Sequence, residues 1–226
     1  MRHEPLFLAP RIALPALLLP LLLAALPARA DSPAKVEIGI AGMLGVGDEG
    51  TYTSEFFDTE DDPELDPTGG FGVHALYEVL PYLDVGGRVA ALWWQADEAW
   101  PKGTPMADHG TLVDIDALFK GKYRLLDDRL EVYGKVPVGL TVSVVEELRG
   151  VTEGRTGVGA NVGVLAGASW TFLKRYGIFL EFGYSFHWMK HEGKYKDPDF
   201  PLLTAEDTQK FWAHEFALNL GLLFRL

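Results

Sequence analysis

GIFLEFGYSFHWMK, residues 177–190, is the stretch whose reading decides the fold. Its even positions hold Ile178, Leu180, Phe182, Tyr184, Phe186 and Trp188, and its odd positions include Gly177, Glu181, Gly183, Ser185 and His187. Successive side chains of a strand point to opposite faces. The alternation therefore predicts a β-strand with one apolar, aromatic face and one small, polar or charged face. Fold and compartment turn on which face meets water.

Seven more stretches repeat the pattern. KVEIGIAGMLGVG, from Lys35, sets Val36, Ile38, Ile40, Leu44 and Val46 on one face. GFGVHALYEVL, from Gly70, does so with Phe71, Val73, Ala75, Tyr77 and Val79, and LDVGGRVAALWWQ, from Leu83, with Val85, Val89, Ala91 and Trp93. TLVDIDALFKGKYR, from Thr111, places Val113, Ile115, Ala117, Phe119 and Tyr123 together. LEVYGKVPVGLTVSVV, from Leu130, aligns Val132, Val136, Val138, Leu140, Val142 and Val144. VGANVGVLAGASWTF, from Val158, aligns Ala160, Val162, Val164, Ala166, Ala168, Trp170 and Phe172. FWAHEFALNLGLLFRL closes the chain with Phe216, Leu218, Leu220, Leu222, Phe224 and Leu226. Long gaps near 48–69, 96–110, 146–157 and 189–210 alternate with short ones at Pro81-Tyr82, Leu125–Arg129 and Leu173–Arg175. Four long and three short connections joining eight strands predict an all-β fold, an eight-stranded antiparallel up-and-down transmembrane β-barrel with short periplasmic turns and longer outer loops.

The size of such a barrel settles which face is which. Eight strands leave an interior just wide enough for side chains. It cannot hold eight rows of Phe, Trp, Tyr, Leu and Val. The opposite face carries Gly39, Ala41, Gly86, Ala90, Gly139, Ser143, Gly159, Gly163, Gly167, Ser169 and Gly183, which fit inside with ionisable groups between them. The apolar face must then point outward. In water it would be a very large exposed patch; in lipid it is what the solvent requires, and closure satisfies the backbone without water. The rival, a soluble lipocalin-like barrel, requires bulky residues lining an internal cavity.

The N-terminus fits this reading. Residues 1–30 combine Arg2 and Arg11 with a Leu-rich stretch broken by Pro15, Pro20 and Pro27, and end on Ala28-Arg29-Ala30. That is the layout of a cleaved secretory signal peptide. The barrel domain then spans 31–226. The whole chain carries a net charge of −12. The signal contributes three arginines and one glutamate, so the mature charge is −14. So acidic a chain is a poor partner for nucleic acid. Cysteine is absent, which excludes a disulfide framework.

The last strand sharpens the assignment. Asn219, Gly221 and Phe224 fit the polar-x-Gly-x-x-aromatic-x-aromatic β-signal of bacterial outer-membrane proteins, and Leu226 departs from its terminal aromatic. With the eight-strand layout, the chain resembles the small outer-membrane barrel superfamily of the OmpA/OmpX/OmpW type. The resemblance implies residence in the cell outer membrane as a monomer. It also implies contact with outer-membrane lipid and lipopolysaccharide, and recognition by the barrel-assembly machinery through Asn219, Gly221, Phe224 and Leu226.

The expected lumen carries Lys35, Glu37, His74, Glu78, Arg88, Asp114, Asp116, Lys120, Lys122, Arg124, Glu131, Lys135, Glu181, His187, Glu215 and Arg225. Balanced charges in a narrow bore predict a paired polar core and a structural or surface-interaction role. The same groups would line a narrow channel for small solutes if the bore were open. Lys120 or Lys122 is expected to meet Glu131 across the short turn, and Asp114 or Asp116 to lie near Lys135 or Arg88. Trp93, Trp170, Tyr184, Trp188, Tyr77, Tyr123, Phe172 and Tyr176 are expected to anchor the membrane interfaces. Ser185, His187 and Glu181 share one strand face, but face the lumen, and a spacing of two residues, about 6.6 Å, suits a nucleophile and base poorly. A lipid-modifying enzyme is therefore not the expectation. No His/Asp/Glu set has zinc spacing, and no cofactor is implied. The loop GDEGTYTSEFFDTEDDPELDP holds Asp48, Glu49, Glu55, Asp58, Glu60, Asp61, Asp62, Glu64 and Asp66 without a Lys or Arg. It lacks the EF-hand spacing and reads as a solvated, self-repelling loop. Pro137 interrupts a strand without changing the parity of Val136 and Val138, which predicts a local loss of pairing rather than a bulge.

Overall fold

The computed structural model describes residues 36–54, 59–61, 68–95, 109–145, 155–173, 175–196 and 204–226. The expected signal peptide, Lys35, and Glu55, Asp58, Asp62, Glu64 and Asp66 lie outside the described residues. Nine strands are present among the described residues: β1 Val36–Ser54, β2 Thr59–Asp61, β3 Gly69–Leu80, β4 Leu83–Gln95, β5 His109–Leu125, β6 Leu130–Val145, β7 Arg155–Leu173, β8 Tyr176–Lys196 and β9 Thr204–Arg225. Eight of them pair antiparallel in the order β1-β3-β4-β5-β6-β7-β8-β9, and β1 returns to β9 to close the barrel. The seam runs from Glu37↔Arg225 outward, with Val36 and Leu226 exchanging backbone hydrogen bonds of 2.9 and 3.3 Å. β2 pairs with the tip of β1 alone.

The two faces divide as lipid solvation demands. Phe182, Leu220 and Leu222 are 61%, 63% and 64% exposed on the outside, while Lys120 and Glu131 keep 1% each on the inside. This inverts a water-soluble protein. In water, leaving each such apolar side chain exposed forgoes about 1.5–3 kcal/mol; in hydrocarbon that cost vanishes.

Small inner residues let the barrel stay narrow. A Cβ on Gly39 would overlap the His74 imidazole, and one on Gly45 would overlap the Glu215 carboxylate and the Thr68 hydroxyl. Pro137 is buried and faces inward. The β6–β7 register omits it and Val136, yet resumes unshifted from Lys135↔Leu165 to Val138↔Val162. Across the gap its ring abuts Gly163, where no side chain competes for the space. The short β5–β6 turn runs through Leu126, Asp127 and Asp128 at positive φ.

The strands reach farther outward than their apolar pattern. The connection expected over 189–210 is instead largely hairpin, with β8 and β9 paired as far as Lys196↔Thr204. β1 likewise stays paired with β9 to Ser54↔Gln209, after a bulge between Val46 and Glu49. At 21 and 22 residues, β8 and β9 are about twice what a bilayer crossing needs. Past Trp188 no hydrocarbon demands one greasy face, so period-two hydrophobicity fades while the hydrogen-bond ladder continues.

Depth along one strand tests this arrangement. Leu180→Arg, on the lipid face, should destabilise by about 2–4 kcal/mol in vesicle unfolding if it sits near the midplane. Glu192→Gln, on the same face of β8 but beyond the apolar band, should leave stability unchanged. Equal effects would contradict the assignment. Gly183→Ser is unsuitable as an inner-face control, because a Cβ there would strike the β7 backbone at Val164.

Candidate functional site: an ion-paired lumen

Among the described residues, alternation delivers ionisable side chains from seven of the eight barrel strands, all but β7, into one bore, and register decides which of them meet. Nearest the short turns, Lys120 on β5 reaches Glu37 on β1 at 2.8 Å and Glu131 on β6 at 2.5 Å. Arg225 on β9 spans the same two carboxylates, each at 3.1 Å. Lys122 pairs with Glu78 at 2.7 Å and with Asp84, and Arg124 pairs with Glu78 and with Glu131 at 3.4 Å. Six strands are thus joined across the axis. Glu37, Glu78 and Asp84 accept hydrogen bonds from their cations, and Glu131 accepts one from Arg124 while its Oε1 meets Lys120 as an ion pair, which lowers the cost of burying these charges.

The next layer is built on Glu181 of β8. It pairs with Lys135 of β6 and accepts hydrogen bonds from Tyr133 Oη at 2.9 Å and Asn219 Nδ2 at 3.2 Å. Tyr133 also offers its ring to Lys120, whose Nζ lies 4.3 Å from the centroid, a favourable desolvated cation–π contact. Toward the long loops, Arg88 holds Asp116 at 2.7 Å and stands 3.8 Å from Asp114. Asp114 accepts from Thr141 at 2.6 Å and lies 3.1 Å from His187 Nε2. Glu215 accepts from Thr68 at 2.6 Å, which ties the start of β3 into the bore.

Lys135 faces Glu181 rather than Asp114 or Asp116, whose cation is Arg88. Glu181 and His187 are bound into different layers, so Ser185, His187 and Glu181 do not form a working set. Among the described residues, no three His, Cys, Asp or Glu side chains form a metal-binding group.

The lumen also holds groups that the expected set leaves out. Asp84 joins Lys122, and its parity opposite Val85 marks it as inward. Tyr133, Thr141 and Asn161 are legible in the same way, from the valines that flank them. Thr68 precedes its strand and carries no such signal. The larger correction is that the bore is not polar throughout. Met43, Leu92, Trp94, Leu112, Met189 and Phe211 pack together inside, toward the long loops. Trp94 stacks on Phe211 with centroids 6.0 Å apart. The layer fills the lumen with side chains, where the lipocalin-like alternative needs a cavity.

The C-terminal residues divide by face. Asn219 and Gly221 point inward, the latter against the Phe179 ring. Phe224 packs outward on Tyr176 at 5.0 Å between centroids.

A closed antiparallel barrel with lipid-matched walls and an ion-paired interior is an integral membrane barrel. The family model for the outer membrane protein beta-barrel domain matches residues 16–224, and the chain belongs to that family, which places it in the outer membrane. Among solved structures it is similar to the outer membrane protein OprG from Pseudomonas aeruginosa, with TM-score 0.66 and 12% identity over 86% of this chain and 97% of that one. Neisserial surface protein A (TM-score 0.44, 14% identity, 84% and 97% covered) and Ail of Yersinia pestis (0.41, 13%, 86% and 100%) also match. At these identities the OprG likeness shows the fold alone. No curated protein matches the sequence.

Removing one member of the inner layer should expose its dependence on pairing. Lys120→Met leaves Glu37 and Glu131 without their shared ammonium and should cost about 3–5 kcal/mol in vesicle unfolding. Adding Glu131→Leu should recover part of that loss. A single variant as stable as the parent would mean that the charges are water-filled and independent.

Proposed function

We propose that this protein is a closed, non-conducting barrel with a structural and surface-interaction role, working through its outward hairpins rather than through its bore. The observation that carries this reading is the Glu37–Lys120–Glu131–Arg225 layer, which links opposite walls across the axis. A cavity of about 10 Å³ beside it, between Glu37, Glu78, Asp84 and Arg225, leaves room for about one water at most. An ion crossing this layer would have to displace buried pairs whose loss costs several kcal/mol.

Three further proposals accompany it. The protein works without catalysis: Ser185 stands in register with Glu215, whose carboxylate accepts from Thr68, and His187 is held by Asp114. It is a monomer in contact with lipid and lipopolysaccharide. Asn219, Gly221, Phe224 and Leu226 serve the assembly machinery, and Asn219 then joins the finished lumen through Glu181.

Planar-bilayer recording tests the closed state. The parent protein should give no steady single-channel current. Steady currents whose ion selectivity changes in Asp116→Asn would overturn the proposal in favour of a narrow channel for small solutes.

A further inference from the structure

The layer built on Glu181 differs from the others in what its carboxylate holds. Oε1 is met by the Lys135 ammonium and by the Tyr133 hydroxyl at 2.9 Å, and Oε2 accepts from the Asn219 carboxamide at 3.2 Å. An amine, a carboxyl and a carboxamide thus stand in a row. Glu181 and Asn219 are register partners on β8 and β9. Lys135 arrives from β6: its register runs through Leu165 of β7 to Gly183, two residues along β8 from Glu181 and on the same face. Among the described residues, the other lumenal lysines meet carboxylates that hold no carboxamide, since Lys120 lies on Glu37 and Glu131 and Lys122 on Glu78 and Asp84.

The surroundings are those of a dry reaction site. Lys135, Glu181 and Asn219 are all buried. The rings of Tyr133 and Phe179 stand 5.5 and 5.6 Å from Lys135 Nζ, and His74 packs edge-on against Phe179. Such walls exclude water and leave the pair in a low dielectric, where passing a proton from ammonium to carboxylate removes two charges at once. Among the described residues, Asn219 Oδ1 is buried without a hydrogen-bond partner. The carboxamide is held through Nδ2 alone, free to turn its Cγ toward Nζ. Fixing an amine, an acid–base group and an amide in one place makes their reaction unimolecular, which raises its rate by many orders of magnitude.

We propose that Lys135 and Asn219 become joined by an isopeptide bond, formed within the folded barrel with Glu181 carrying the protons. Nζ passes one proton to Glu181 and attacks Cγ. The Nζ–Cγ bond forms and the Cγ–Nδ2 bond breaks. A second proton leaves Nζ through the same carboxyl for Nδ2, which departs as ammonia. Glu181 gives the first proton to that ammonia and is again a carboxylate as ammonium leaves. No co-reactant is needed. The step occurs once per chain and is self-modification, not turnover. It joins β6 to β9, which do not pair, and closes a covalent loop over β7 and β8. Lys135 stays the ammonium of the ion pair until the bond forms, and its nitrogen keeps a sheltered proton in either state.

Intact mass of the full chain, followed by peptide mapping, tests this. Protein folded in the membrane should weigh less than its own unlinked sequence by one ammonia. Proteolysis should yield a branched peptide joining the segments around Lys135 and Asn219. Chain kept unfolded in urea should lack the bond and acquire it on refolding into detergent micelles. Glu181→Gln should slow its appearance about 100-fold or more, the weight of a general acid–base group. Lys135→Gln or Asn219→Ala should abolish it. Folding of each variant is checked by heat-modifiable migration on gels. A parent chain that keeps its full mass after refolding would overturn the proposal, as would a loss of ammonia confined to the Asn219 peptide, which is a cyclic imide. A branched peptide that forms as fast in folded Glu181→Gln, or in urea, would overturn it equally. The mass and peptide map of the parent decide the matter even if a variant does not fold.

Discussion

The bore of an eight-stranded barrel admits one crowded layer of side chains at a time, and Lys120 bears the consequence. Its ammonium is reached by Glu37, Glu131 and the face of Tyr133, contributed by β1 and β6 around its own strand β5. Removed from water, it is tolerable only because those partners are there. Each carboxylate is held by a further cation, Arg225 for both and Arg124 for Glu131. The layer therefore fixes the relative position of strands far apart in sequence, including the two that close the barrel. Narrowness forces the pairing, and pairing in turn locks the narrow barrel.

The two solvents act on opposite ends of each side-chain vector. Outside, hydrocarbon makes Leu and Phe free to stay exposed and makes unpaired backbone unacceptable, which demands closure. Inside, the low dielectric makes every lone charge expensive, which demands partners. Toward the long loops the interior instead fills with Met43, Leu92, Trp94, Leu112, Met189 and Phe211. Farther out, β1, β8 and β9 stay paired beyond the apolar band.

The fold was legible in the sequence because period-two alternation is strict wherever hydrocarbon lies on one side. Ile178 to Trp188 and Phe216 to Leu226 assign their faces without ambiguity, and alternating gap lengths order the strands. The hairpin beyond Trp188 was hidden for the same reason: water on the outside removes the alternation but not the ladder, so residues 189–210 read as loop. Inner charges were readable by parity, and Lys120 and Glu131 meet across a short turn. The partner of Lys135 was not readable. Glu181 lies two strands away, brought near by the tilt and curvature of a closed sheet rather than by sequence neighbourhood. The apolar inner layer was obscured because Leu92 and Trp94 are flanked by outward Ala91 and Trp93, so that side of the strand reads as apolar on both faces.

Nitrogen-15 NMR of the lysine side chains in lipid nanodiscs measures the buried pairing directly. An exposed ammonium exchanges its protons with water too fast to be observed near neutral pH, whereas one enclosed by carboxylates keeps them. An ion-paired lumen should give resolved, slowly exchanging signals from Lys120 and Lys135, and loss of the Lys120 signal's protection in Glu131→Leu. Ammonium protons of Lys120 and Lys135 that exchange as fast as those of Lys190 would mean that the lumen is hydrated and open, and would contradict it.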